Sequence, residues 1–111
     1  MIDRERAKSN VRAIGERALQ HNLARAQVLR QALDAVRARR LDEPLRRAAQ
    51  RAAHQIAGSA GTFGHPIASE LSMRLGEFFR RGGRPEQLPD ADAWLEGLDA
   101  DLASDPDDED S

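Results

Sequence analysis

The stretch "AAHQIAGSAGTFGHP", residues 52–66, sets the first of its two histidines, His54, among small side chains. Gly58 follows it by one helical turn, at a point where Ala would give a firmer helix by about 1 kcal/mol. A helical chain that accepts this loss points to something that must come close to His54. With Leu45 at zero and about 100° per residue, Ala49, Ala52, Ile56 and Phe63 fall within about 40° of it, and His54 at about 180°. His54 is therefore expected on the solvent side, with Arg47, Gln50, Arg51, Ala57, Gly58 and Gly61 as its outer-face neighbours.

The available chemistry narrows quickly. A metal site needs further ligands, and His54 has no His, Asp or Glu at i±3 or i±4. A nucleophilic triad would put Ser or Cys beside the imidazole, but Ser59 lies about 140° around the helix. The imidazole itself remains as the nucleophile. With an unperturbed pKa of about 6.5, a neutral ring is available near pH 7 and accepts a phosphoryl group on nitrogen. The chain has no Gly-rich nucleotide loop and no carboxylate cage for Mg²⁺, so a partner would have to supply both. His21 and His65 are read as ordinary surface histidines.

The elements that position His54 follow from apolar spacing. Val11, Ile14, Ala18, Leu19, Leu23, Ala26, Leu29, Leu33 and Val36 form one helical stripe. Gly15 interrupts it, so a short N-terminal helix over 1–15 is expected to lead into a long one over about 16–39. Asp42 and Pro44 start a second helix, which Gly64 closes and after which Pro66 opens a third. The third carries Ile67, Leu71, Leu75, Phe78 and Phe79 and ends at "RRGGRP"; Pro85 and Pro89 read as a loop, with Asp90 capping a last helix over about 91–103. No segment alternates like a strand. The expectation is an all-α, antiparallel four-helix bundle over 16–103, with a disordered acidic tail over 104–111.

Composition agrees. The 111 residues suffice for one small domain, 40% hydrophobic and 32% charged, with no Cys. No apolar run approaches the roughly 20 residues of a membrane span, and the charged start is not read as a signal peptide. A cytoplasmic protein, complete from its Met to its acidic end, is expected. Charge is uneven: residues 1–51 hold 13 Arg or Lys against 6 acids, and residues 52–111 hold 4 against 13. The basic residues lack aromatic interleaving and clusters longer than two, which argues against nucleic acid.

"AAHQIAGSAGTFG" (52–64) resembles the signature of histidine phosphotransfer (HPt) domains, roughly Ala-His-x-Leu/Ile-Lys-Gly-Ser/Gly-Ala/Ser-Gly-x-Phe/Leu-Gly, and of the phosphorylated N-terminal domain of chemotaxis-type histidine kinases. The resemblance implies a four-helix bundle whose His54 carries phosphate between aspartates of receiver domains, with a hybrid histidine kinase upstream. It further implies no cofactor or metal in this chain, Mg²⁺ on the receiver, room at Gly58 for the receiver's active site, and a helix end shaped by Ser59 to Gly64. A monomer is expected, docking through the second and third helices with Leu and Phe at the rim. Two positions depart from the pattern: the usual Lys is Ala57, and the usual Glu or Gln on the next helix is Gly76. Arg51, Arg47 and Arg74 are the expected substitutes for the missing cation. The rival expectation is an HPt-like module that docks on a receiver or kinase without carrying phosphate.

Overall fold

The computed structural model describes residues 2–105. It contains four α-helices, α1 (Ile2–Arg37), α2 (Glu43–Thr62), α3 (Pro66–Arg80) and α4 (Leu88–Ala103), with one 3₁₀ turn, Pro85–Gln87, before α4. No strand occurs among the described residues. Residues 106–111, most of the expected tail, lie outside them.

Local chemistry sets most of the boundaries. The Asp42 carboxylate accepts the Leu45 N–H at 2.8 Å, with Pro44 in the first turn of α2, as expected. At the other end of α2, Gly64 takes φ 89° and the His65 N–H donates to the Ala60 carbonyl at 2.8 Å. This left-handed residue followed by a six-to-one bond closes the helix and turns the chain into Pro66.

Three expectations are corrected. Gly15 does not break α1, which is continuous; one Gly among good helix formers costs about 1 kcal/mol, too little to end a long helix. Helix α4 starts at Leu88, so Pro89 lies in its first turn and Asp90 is inside the helix, not its cap. Val11, Ile14 and Leu23 continue the apolar stripe in sequence yet are exposed. Gly15 already lies beside Phe63 at the α2–α3 corner, so the turns that carry Val11 run beyond the helices that could cover them, whereas Ile14 borders a depression against α2 and Leu23, within the length of the bundle, stays exposed on a flank of α1.

The core is drawn from all four helices: Leu29, Leu33 and Val36 of α1, Ile56 and four alanines of α2, Leu75, Phe78 and Phe79 of α3, and Leu95, Leu98 and Leu102 of α4. Phe78 and Phe79 meet edge to face, with centroids 5.0 Å apart. Small residues bring the helices together. A Cβ on Gly76 would sit 3.5 Å from the Ala53 Cβ, and one on Gly61 would sit 3.3 Å from the Ser69 Oγ. Residue numbers thus rise along α2 as they fall along α3.

One buried polar contact ties α4 to α3. His65, at the N-cap of α3, makes no side-chain capping bond. Asp101 of α4, a buried carboxylate, accepts the Ala68 N–H at 2.7 Å instead. It satisfies an open donor in the first turn of α3 and places negative charge at that helix's positive end. Asp101→Ala should lower the unfolding free energy by about 1–3 kcal/mol, seen as a lower urea midpoint. Asp101→Asn, which keeps an acceptor for that N–H, should lose less.

Candidate functional site

His54 is held on the outer face of α2 by the burial of the opposite face, Ala49, Ala52, Ala53, Ile56 and Ala60. It is exposed, as are Arg47, Arg51, Gly58 and Gly61; Gln50 and Ala57 are half-buried. Arg47, Gln50, Arg51, His54 and Gln55 line one shallow depression. Of the expected supporting residues, the structure thus gathers Arg47, Arg51 and Gln50 around the imidazole. Gln55 joins them, although the angular reading passed over it.

The two arginines differ in state. Arg47 donates from Nε to Glu43 at 3.1 Å, while Arg46 donates to both oxygens of the same carboxylate. Arg46 first, then Arg47, hold the Glu43 carboxyl down at about 2. Arg46 also reaches across the seam to the Phe79 carbonyl at 3.0 Å and so braces α2 against α3. Arg51, in contrast, has no hydrogen-bond or ion-pair partner among the described residues. It is the free cation one turn from His54.

Arg74 is not brought to His54. It stands about 160° around α3 from Gly76, the residue that faces Ala53, and pairs with Glu70 at 3.3 Å. The rim expected from Leu and Phe is also different: Leu75, Phe78 and Phe79 are buried, and the exposed large apolar side chains of α3 are Ile67 and Met73. Gly76 is packed beside Ala53, so this position of α3 sends no polar group toward the imidazole.

His65 is not a surface histidine; it is 4% exposed, folded in at the α2–α3 corner. Helical spacing could not show this, because His65 lies between helices. His21 is exposed as expected. Ser59 faces α1, where its Oγ accepts from Nδ2 of the buried Asn22 at 3.2 Å. It is a packing residue and no partner for the imidazole. Among the described residues no cluster of three His, Cys, Asp or Glu side chains could hold a metal ion.

Apart from its chain neighbours and the backbone of its own helix, no atom of the described residues lies within 4 Å of the place where a Cβ on Gly58 would stand. No packing contact among the described residues requires glycine there. The small residue leaves the surface beside His54 open to another molecule.

A family model, the Hpt domain, matches residues 13–104. The chain belongs to the Hpt domain family. No curated protein and no solved structure was found to match it. Hpt domains serve histidine phosphotransfer in phosphorelays as phosphocarriers, and they interact with the receiver domains and kinases of two-component systems. The match begins inside α1, two residues before Gly15, where the helix first meets the α2–α3 corner. No helix of the described Hpt domain is long and apolar enough to cross a membrane.

The glycines of α2 separate helix propensity from packing. Gly58→Ala should stabilise the domain by about 0.5–1 kcal/mol, since it gains propensity and meets open space. Gly61→Ala should gain less or lose stability. Its Cβ presses on the Ser69 hydroxyl, which donates to the Ala57 carbonyl at 2.6 Å. Thermal melts of the two variants side by side check this.

Proposed function

We propose that this Hpt domain is a phosphorelay carrier and that His54 holds the phosphoryl group. The observation that carries the reading is the exposed imidazole beside Gly58, whose missing side chain leaves room for a partner and has no packing role within the domain. A ring nitrogen of neutral His54, Nε2 as the more exposed one, attacks the phosphorus of a receiver's aspartyl phosphate. The N–P bond forms as the P–O bond to the carboxylate breaks, and the carboxylate leaves with the electron pair. The other ring nitrogen keeps its proton. Reversal onto a second receiver's aspartate completes the relay.

The partner receiver supplies Mg²⁺ and the acidic pocket, and a hybrid kinase stands upstream. This chain contributes a positioned nucleophile and a compensating cation. Arg51 takes the charge role that Ala57 leaves vacant, because it is one turn away and has no acid partner. Arg47 contributes less, being shared with Glu43. The carrier works as a cytoplasmic monomer, an antiparallel bundle presenting one face.

Phosphorylated receivers should label the wild type with an acid-labile, base-stable phosphoryl group and leave His54→Gln unlabelled. Arg51→Ala should slow transfer about tenfold, the order of one charge-assisted contact, Arg47→Ala less, and Arg74→Ala not at all. Receiver binding without label on the wild type would mean a docking module that has lost the chemistry, a reading favoured by Ala57 and by Gly76 packed against Ala53.

A further inference from the structure

A cavity of about 580 Å³ lies at one end of the bundle, where α1 passes the α2–α3 corner and the end of α4. Its volume falls in the range of sites that take a small molecule, about 300–1,000 Å³. Leu19 of α1, Phe63 of the corner and Leu102 of α4 supply apolar walls, and the exposed Arg12 and Glu16 stand at its rim. It shares no lining residue with the depression that holds His54.

Two buried polar side chains also line the cavity, Asn22 and His65. Asn22 is satisfied within the fold: its Nδ2 donates to the Ser59 Oγ, and its Oδ1 accepts from Arg25. His65, only 4% exposed, is not. Its Nδ1 is buried without a hydrogen-bond partner, and its Nε2 has none among the described residues. Burying a ring nitrogen unpaired forfeits its hydration, a loss that an apolar side chain of similar size avoids. Capping does not explain the imidazole either. His65 stands at the N-cap of α3 without a side-chain capping bond, and the Asp101 carboxylate accepts the Ala68 N–H instead. No contact among the described residues accounts for a polar ring at this place.

We infer that the cavity is a binding site for a small uncharged aromatic alcohol, whose ring lies between Leu19, Phe63 and Leu102 and whose hydroxyl pairs with the His65 imidazole. A hydroxyl is the fitting group because it both donates and accepts, and so matches either neutral tautomer of the ring. An aromatic body suits the Phe63 wall. The ligand is uncharged because Arg12 is offset at the rim by Glu16 and Asp105. The sequence beyond Asp105 offers no such group of its own, since residues 106–111 hold one proline and otherwise only acids and a serine. A molecule seated here touches α1, the α2–α3 corner and α4 together, so it stabilises the folded chain by mass action.

The test uses 2-naphthol as the probe, titrated into the full chain and followed by heteronuclear NMR and thermal melting. Naphthalene is the analogue without the hydroxyl. 2-Naphthol should bind saturably, raise the melting temperature, and move the amide signals of Leu19, Phe63, His65 and Leu102 together with the ring-nitrogen signals of His65. Naphthalene should bind roughly two- to tenfold more weakly, the worth of one hydrogen bond, and leave those ring nitrogens unmoved. Ala103→Trp places an indole at an exposed position that lines the cavity, and should weaken 2-naphthol about tenfold or more by taking its place. Ala93→Trp, the same change at an exposed position of α4 outside the cavity, should bind like wild type.

Absence of saturable 2-naphthol binding by the wild type would overturn the inference. So would binding that Ala103→Trp leaves unchanged, with signals moving elsewhere on the bundle. Equal affinity for naphthalene, with the His65 nitrogens still, overturns it as well, because the imidazole then has no part in recognition. None of these readouts depends on phosphoryl transfer at His54, so the carrier reading stands or falls separately.

Discussion

The rotation of α2 about its own axis decides what this molecule can do, and close packing against α3 sets that rotation. Three contacts fix it: Gly76 beside the Ala53 Cβ, Gly61 beside Ser69, and the Ser69 hydroxyl donating to the Ala57 carbonyl. They span more than two turns of α2 on one flank. On its other flank Ser59 is tied to the buried Asn22 of α1. Between these two seams the alanines and Ile56 go inward, and residues 47, 51, 54 and 58 can only face out. An imidazole placed this way has few neighbours of its own, which leaves it accessible as a nucleophile and also leaves its charge environment incomplete.

The glycines show how differently one residue type can be used. Gly64, at φ 89°, makes a turn that a side chain would strain, and Gly76 lets two helices approach. Gly58 does neither. Its conformation is ordinary helix and no other helix or side chain among the described residues packs where its Cβ would stand, so a glycine there is a local cost without an internal packing return. A position that breaks the local rule without internal compensation is where an external partner is the natural explanation.

Much of this was legible in the sequence, and the gaps have specific causes. The outward face of His54 follows from apolar spacing alone, because α2 is buried along one face over its whole length. The same periodicity misled in α1, where Val11 repeats correctly but lies beyond the end of the other helices. Period reports which face could be buried; it does not report whether another helix reaches it. Asn22 and Asp101 escaped notice because a polar residue on an apolar stripe reads as an interruption. Each is instead a buried partner for a polar group on another helix, Ser59 and the Ala68 N–H. His65 was misread because corners have no period. Arg74 was misassigned because being on the adjacent helix says nothing of the side from which its side chain leaves.

The charge imbalance along the chain becomes an imbalance across the bundle through the order of neighbours. Helix α1 has α4 on one flank and α2 on the other. Every charged residue of α4 is acidic, so arginines of α1 that face it find carboxylates, as Arg30 and Arg37 do. Along the opposite flank, α2 offers no acid beyond Glu43 in its first turn, and Arg46 and Arg47 occupy that one. Cations of α1 on this side have nothing to pair with. A glutamate at position 21 would lie one turn from both Arg17 and Arg25 and would pair with either, worth a few tenths of a kcal/mol; the chain has histidine there. Stability does not account for that choice.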